Sequence, residues 1–241
     1  MKLSFQLGPD SITRILLMII FFLLAGNLIS IYLKWVLGFE SAMGVVPLFD
    51  FDTEFNLPSL YSSLAILLSA GLLWIIAKNE ETKNGKGEAF YWKVLTYIFI
   101  FLSVDELVSI HNQFGRLIGF LFGSFTYINE SRLWILAYMP ILVLFLIYFI
   151  GFYKRLDKST IQSFIIAGSV FAAGAIIVEL VGDQYMMYHD KADINYGLIY
   201  TLEELLEMIG IVLFIRALVY YLIKHTLIQI INIQINFNQS Q

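Results

Sequence analysis

The chain has 241 residues, a formal net charge of −4 and no cysteine. Hydrophobic residues make up 59% of it and charged residues 14%, against about half and about a quarter in soluble domains. These values exclude a soluble globular enzyme, a disordered chain and a basic nucleic-acid-binding protein. The lack of cysteine excludes disulfides, zinc-thiolate sites and iron–sulfur clusters.

Six apolar stretches are long enough to cross a bilayer as helices, which takes about 20 residues each. The predicted fold class is therefore an all-α, polytopic membrane bundle with six transmembrane helices. The first stretch is interpreted as an uncleaved helix, because its apolar run is too long for a signal peptide. The predicted spans are Ile12–Leu33, Leu60–Ala77, Tyr91–Ile110, Leu133–Phe152, Ile161–Val181 and Leu198–Ile223.

Two further segments lie outside these spans. Arg116–Phe125 is apolar but too short to cross, so it is predicted to lie in the interface, to be re-entrant, or to form a packed loop. Residues 1–224 are predicted to form the membrane domain and residues 225–241 a flexible tail. Within that tail, Ile228–Asn238 alternates Ile with Gln and Asn, which is strand-like.

The distribution of charge predicts that both termini are cytoplasmic and that the chain lies in the cell (inner or plasma) membrane. With this orientation most acids fall on the outer side, 14 of 19, and most basic residues are cytoplasmic, 11 of 15. The cytoplasmic basic residues are Lys2, Arg14, Lys78, Lys83, Lys86, Lys93, Lys154, Arg155, Lys158, Arg216 and Lys224.

Acidic residues in the outer halves of three predicted spans are the main functional signal. No basic residue accompanies them there, and an ionised acid inside a membrane costs a few kcal/mol. Protonation, a bound metal or a water-filled cavity would each relieve that cost. The candidate metal ligands are Asp105, Glu106, His111, Glu179, Glu203 and Glu207, with Glu54, Asn56 and Asp183 as secondary candidates.

Helical spacing decides which of these side chains share a face. Glu203 and Glu207 do, as do Glu179 and Asp183, because each pair is four residues apart. Glu106 and His111 are five apart, about 140° around a regular helix. His111 can therefore join the site only if the helix ends or loosens near Ile110, which Asn112 and Gly115 permit.

Other interpretations of these acids involve no ligand. Thr201-x-x-Glu204 fits a capping box, which would make Glu203 and Glu204 ordinary residues of a first helical turn. Glu179 would lie at the headgroup level. Asn27 is predicted to make an interhelical hydrogen bond, and Arg216 is predicted to extend to the inner interface.

Three sequence segments resemble a group of bacterial multi-pass membrane proteins to which no activity is attached. They are Leu102–His111 (LSVDELVSIH), Glu54–Pro58 (EFNLP) and Glu203–Gly210 (EELLEMIG). The resemblance covers the second to sixth spans. It implies a shared polar set of Glu54, Asn56, Asp105, Glu106, His111, Glu203 and Glu207.

Three functions remain open from the sequence. The first is binding, with or without transport, of a proton or a divalent metal ion in an outward-facing carboxylate and histidine pocket. The second is a metal-dependent hydrolase or transferase acting on a lipid, with Glu106 as candidate general base. The third is a non-catalytic subunit or assembly factor. The expected partners are the lipid bilayer and either a membrane protein or a second copy, with no nucleic acid.

Overall fold

The structure is a computed structural model that describes residues 2–122, 134–189, 191–225 and 231–236. Nine α-helices and two strands lie within these ranges. In chain order the elements are β1 Lys2–Leu7, α1 Pro9–Ile31, α2 Val45–Phe49, α3 Leu57–Asn84, α4 Lys86–Val108, α5 Ile110–Phe122, α6 Trp134–Tyr153, α7 Lys158–Ala172, α8 Glu179–Tyr188, α9 Ile194–His225 and β2 Ile231–Asn236. Two π-helical turns, Tyr32–Val36 and Ala173–Val178, extend α1 and join α7 to α8.

Local sequence signals set the ends of several helices. Asn56 caps α3, because its Oδ1 accepts the N–H of Ser59 at 3.1 Å, and Pro58 follows in the first turn, where no N–H is needed. Asp157 caps α7 in the same way through the N–H of Thr160. Gly85 has φ +85° and separates α3 from α4.

Helix α9 lies at the centre of the bundle and packs against α1, α3 and α7. One buried apolar cluster joins α9 to α1 and α3, and includes Leu23, Met208 and Val212. A second lies nearer the carboxyl end of α9. In this cluster, aromatic rings from α4 and α6 pack around Leu218, and the ring planes of Trp92 and Phe152 meet at 86°.

Four helical segments are long and apolar enough to cross a membrane: Pro9–Val36, Leu57–Asn84, Lys158–Tyr188 and Ile194–His225. The count is five if α4 and α5, which are bent by 81° relative to each other, form one broken span. Within the described part of the chain, Tyr138–Tyr153 of α6 is a shorter apolar helix. The all-helical membrane-type fold is therefore confirmed in outline, with four to five apolar helices of membrane-spanning length, and the count of six spans stays a prediction.

The predicted packed loop at Arg116–Phe125 is wrong for its described part. Residues 110–122 form α5, which makes a sharp angle with α4, as expected of an interfacial or re-entrant segment. Residues 123–125 lie outside the described residues.

Ion pairs and hydrogen bonds show which helix ends meet. At one end of the bundle, here called the charged end, Arg155 pairs with Glu88, Lys224 with Asp157, and Arg216 with Asp10. Lys83 also donates to the His225 carbonyl there. Consecutive long helices therefore run in opposite directions.

The two strands form an antiparallel ribbon that joins the ends of the chain, with Lys2 opposite Asn236 and Leu7 opposite Ile231. Residues 231–236 are part of the segment whose alternating sequence is strand-like. The flexibility of the tail as a whole stays a prediction.

Candidate functional site

The break between α4 and α5 brings His111 to Asp105. Ser109, between the two helices, adopts the left-handed conformation with φ +53°, and its N–H donates to the Asp105 carbonyl oxygen at 2.6 Å. The chain turns back, so the backbone N–H of His111 donates to Asp105 Oδ1 at 2.7 Å. The imidazole Nδ1 lies 3.3 Å from Oδ2 of the same carboxylate. The structure thus meets the condition under which His111 joins the site.

Glutamates from neighbouring helices surround this pair. Glu106 interacts electrostatically with His111, Asp105 and Glu54. Glu204 and Glu207 interact with Glu106 and with each other, so α9 faces the end of α4. Glu179 of α8 acts on His111 and on both glutamates. We call this group the carboxylate cluster; its members are Asp105, Glu106, His111, Glu179, Glu203, Glu204 and Glu207.

The members of the cluster differ in exposure. Asp105 and Glu179 are buried, whereas Glu106, His111, Glu203, Glu204 and Glu207 are half-buried. Asp183, one turn beyond Glu179, is also buried. No Lys or Arg occurs in residues 94–108, 159–188 or 194–215, the helical segments that carry the acids of the cluster, and Arg116 lies on α5, five residues after His111. The cluster is therefore acidic, with a histidine on its margin.

The alternative interpretation of Thr201-x-x-Glu204 as a capping box is wrong. Helix α9 begins at Ile194, seven residues earlier, and the Asp193 carboxylate accepts the N–H of Tyr196 at 3.0 Å at that end. Thr201 is buried within the helix, where its hydroxyl donates to the Gly197 carbonyl oxygen at 2.6 Å. Glu203 and Glu204 thus lie in the third turn of α9, not in a first turn as predicted.

The segment Asp50–Asn56 lies beside the cluster and is held by a polar network. Lys34 Nζ is 2.7 Å from Asp50, and Tyr196 OH donates to Asp52 at 3.1 Å. Asn56 Nδ2 donates to the carbonyl oxygens of Asp50 and Thr53 at 2.7 and 2.8 Å. Asn56 thus shapes this segment and caps α3, while Asp52 and Glu54 act on Glu204 and Glu106, respectively.

The predicted interhelical role of Asn27 is confirmed. Its Nδ2 donates to Thr201 Oγ1 at 2.7 Å, and its Oδ1 accepts the N–H of Phe51 at 3.0 Å. Sequence reasoning did not foresee the pair of serines that joins α3 to α4 next to Asp105. There, Ser63 and Ser103 each donate a hydroxyl to the other's carbonyl oxygen, at 2.8 and 2.9 Å.

Two carboxylates outside the helical segments have lowered pKa values. The backbone N–H of Tyr196, with the Tyr185 hydroxyl, holds the pKa of Asp193 below its usual range. The Ser159 hydroxyl, with Lys224 and Thr160, holds the pKa of Asp157 well below its usual range. Both groups are therefore anionic anchors at helix ends.

A divalent metal site is not supported by this geometry. Across residues 2–122, 134–189 and 191–225, no three His, Asp or Glu side chains are arranged to bind one metal ion. Of the two remaining histidines, His225 lies near Asp157 at the charged end, and His189 stacks on Tyr185 near the start of α9.

A protein-family model matches residues 14–222. The chain belongs to the family DUF8692, a domain of unknown function. The DUF8692 match covers most of the chain and includes every member of the carboxylate cluster. The match agrees with membership of a family to which no activity is attached, and the two strands lie outside it. No curated protein and no solved structure matches the chain.

Proposed function

We propose that the chain is a six-span integral membrane protein whose carboxylate cluster binds and exchanges protons on the side of the membrane away from the cytoplasm. The observation that carries the proposal is the Asp105–His111 pair at the α4–α5 break, with glutamates of α9 beside it.

The exposed surface of the helices supports a membrane location. Large apolar side chains point outward on α1, α6 and α7, including Phe21 at 73% exposure, Leu144 at 66% and Ile165 at 61%. A bilayer covers such side chains, whereas water does not. The six spans are then α1, α3, the bent pair α4–α5, α6, α7–α8 and α9.

The charge distribution supports the orientation. The charged end holds the α3–α4 and α6–α7 connections, which are rich in Lys and Arg, and the carboxyl end of α9. The positive-inside rule assigns such an end to the cytoplasm. The carboxylate cluster lies toward the opposite end, and Glu207 is about 20 Å along α9 from its start.

The chemistry of the cluster favours protons as the bound cation. Several like charges at one depth in a membrane are costly, and binding a cation relieves that cost. A proton needs one carboxylate or imidazole, whereas a divalent metal needs several converging oxygen or nitrogen ligands. An imidazole paired with a carboxylate exchanges protons near neutral pH.

The test is proton uptake by the purified protein in nanodiscs, together with proton flux into liposomes that hold a pH-sensitive dye. The Asp105→Asn/Glu207→Gln variant should lose uptake between about pH 5 and 8, the range in which histidine and perturbed carboxylates titrate. Glu40→Gln, at an exposed residue between α1 and α2, is the matched control and should behave as wild type.

Equal uptake by wild type and the double variant would contradict the proposal. Elemental analysis of the same samples tests the metal alternative. A stoichiometric metal ion in the wild type that is absent from the double variant would mean that the cluster binds a metal and not protons.

A further inference from the structure

The connection between α7 and α8 changes which residues face the bundle. The buried positions on α7 and the start of the π-turn are Thr160, Ala167 and Gly174, which are seven apart and so share one helical face. After the turn Ala173–Val178, the buried positions are Glu179, Gly182 and Asp183. The two sets do not belong to one regular helix.

A regular helix continued from Gly174 would bury different residues. At 100° per residue, Val178 and Val181 would stay within about 40° of Gly174, whereas Glu179 would point about 140° away. The structure shows the opposite pattern. Val181 is 51% exposed, while Glu179 and Asp183 are 7% and 5% exposed. One additional residue in the π-turn accounts for a shift of about 100°.

The π-turn also lies against α9 beside the carboxylate cluster. A Cβ atom on Gly174 would lie 2.6 Å from the Glu203 carbonyl oxygen and 3.0 Å from Glu207 Cγ. Only glycine fits this contact without displacement of the backbone. The turn is therefore held against α9 at the level of Glu203 and Glu207, and Glu179 follows immediately.

We infer that the π-turn Ala173–Val178 is a register shift that turns Glu179 and Asp183 to the packed face of α8, and that it thereby places Glu179 in the carboxylate cluster as a proton-binding group. Without the shift, α8 would present valines to the cluster and carboxylates to the lipid. The proton-binding part rests on the proposed function; the register shift stands on burial and packing.

The register shift is tested by site-directed spin labelling in a lipid bilayer, which the lack of native cysteine makes direct. Single substitutions Ile177→Cys, Glu179→Cys, Val181→Cys and Asp183→Cys each receive a nitroxide. Oxygen dissolved in lipid should broaden the spectra at 177 and 181 several-fold more than those at 179 and 183. The reverse pattern, with 177 and 181 protected and 179 and 183 broadened, would overturn the inference.

The contribution to proton binding is tested by changing the length of the turn. Deletion of Ile176 converts the π-turn to a regular turn and keeps Glu179 on the packed face, so most of the proton uptake should remain. Insertion of an alanine after Ile176 rotates Glu179 by about 100° and should reduce uptake as much as Glu179→Gln does. Glu179→Asp keeps a carboxylate and should lose less proton uptake than Glu179→Gln.

Equal losses for deletion and insertion would show that the turn matters only for packing, and would overturn the positioning role. If the wild-type protein takes up no protons, the proposed function fails. The spin-label pattern then still decides the register shift, so the two failures are distinguishable.

Discussion

Asp157 illustrates how one side chain stabilises a helix end. Its Oδ1 accepts the N–H of Thr160 at 3.1 Å and lies 2.9 Å from Lys224 Nζ. We expect Asp157→Ala to lower the free energy of unfolding by about 1 kcal/mol, the usual cost of losing an N-cap. Thermal unfolding in detergent at neutral pH measures this. Asp157→Asn keeps a capping oxygen, so its free energy of unfolding should fall by less.

The same residue predicts a pH dependence of stability. The pKa of Asp157 is lowered in the folded protein, chiefly by the Ser159 hydroxyl and then by Lys224 and Thr160. Its contribution is therefore complete above the unfolded pKa of about 3.9 and is lost as the pH falls through lower values. The difference in melting temperature between wild type and Asp157→Asn should shrink as the pH falls below about 4. A constant difference would contradict this.

Asn27 is a polar residue that joins α1 to α9. It is fully buried, and Asn27→Leu leaves the buried N–H of Phe51 without its acceptor. We expect Asn27→Leu to lower the free energy of unfolding by about 1–3 kcal/mol, measured by denaturant unfolding in mixed micelles. Thr201→Ser keeps a hydroxyl for Asn27 and serves as control. A loss as large in Thr201→Ser would mean that packing, not hydrogen bonding, dominates.

At the scale of elements, the α4–α5 break depends on an unusual backbone conformation. Ser109 has φ +53°, which glycine adopts freely and β-branched residues adopt at high cost. The free energy of unfolding of Ser109→Gly should equal that of the wild type or be higher by up to about 1 kcal/mol. That of Ser109→Val should be lower by more than about 1 kcal/mol. Ser109→Ala controls for the hydroxyl. Equal melting temperatures for all three variants would contradict this.

The positions of the helices are predictable from the sequence, whereas their ends and the break between α4 and α5 are less so. Each of the six apolar stretches predicted from hydropathy overlaps a helix of the structure, because 20 apolar residues leave few alternatives. Sequence reasoning placed the last helix four residues late, since Asp193 caps α9 before the apolar run begins. It predicted that His111 needs a break near Ile110, but Ser109 carries no sequence signal for a left-handed conformation.

The composition of the cluster depends on tertiary packing and was only partly predictable. Asp105, Glu106 and Glu207 stand out because acids are rare in apolar segments. Glu204 also fits a capping box in the sequence, so its place in the cluster was not predictable, although it lies three residues from Glu207 and shares its face. The π-turn is invisible to hydropathy, because a single additional residue changes no composition.

At the scale of the whole molecule, the orientation in the membrane gives a direct prediction. Lys86→Cys, at the start of α4, and Glu40→Cys, between α1 and α2, should lie on opposite sides. In intact cells a membrane-impermeant maleimide should label Glu40→Cys, and it should label Lys86→Cys only after permeabilisation. Labelling of both positions in intact cells would contradict the six-span topology.

The α7–α8 segment packs closely against α9 at two glycines, Gly174 and Gly210, and these contacts lie on either side of Glu207 along α9. Gly174 lies against the Glu203 carbonyl oxygen, and a Cβ atom on Gly210 would come within 2.7 Å of the Phe171 backbone nitrogen. Backbones that interlock at two levels resist sliding past each other. Under the proposed function, α9 and the α7–α8 segment would therefore move only together, as one rigid body.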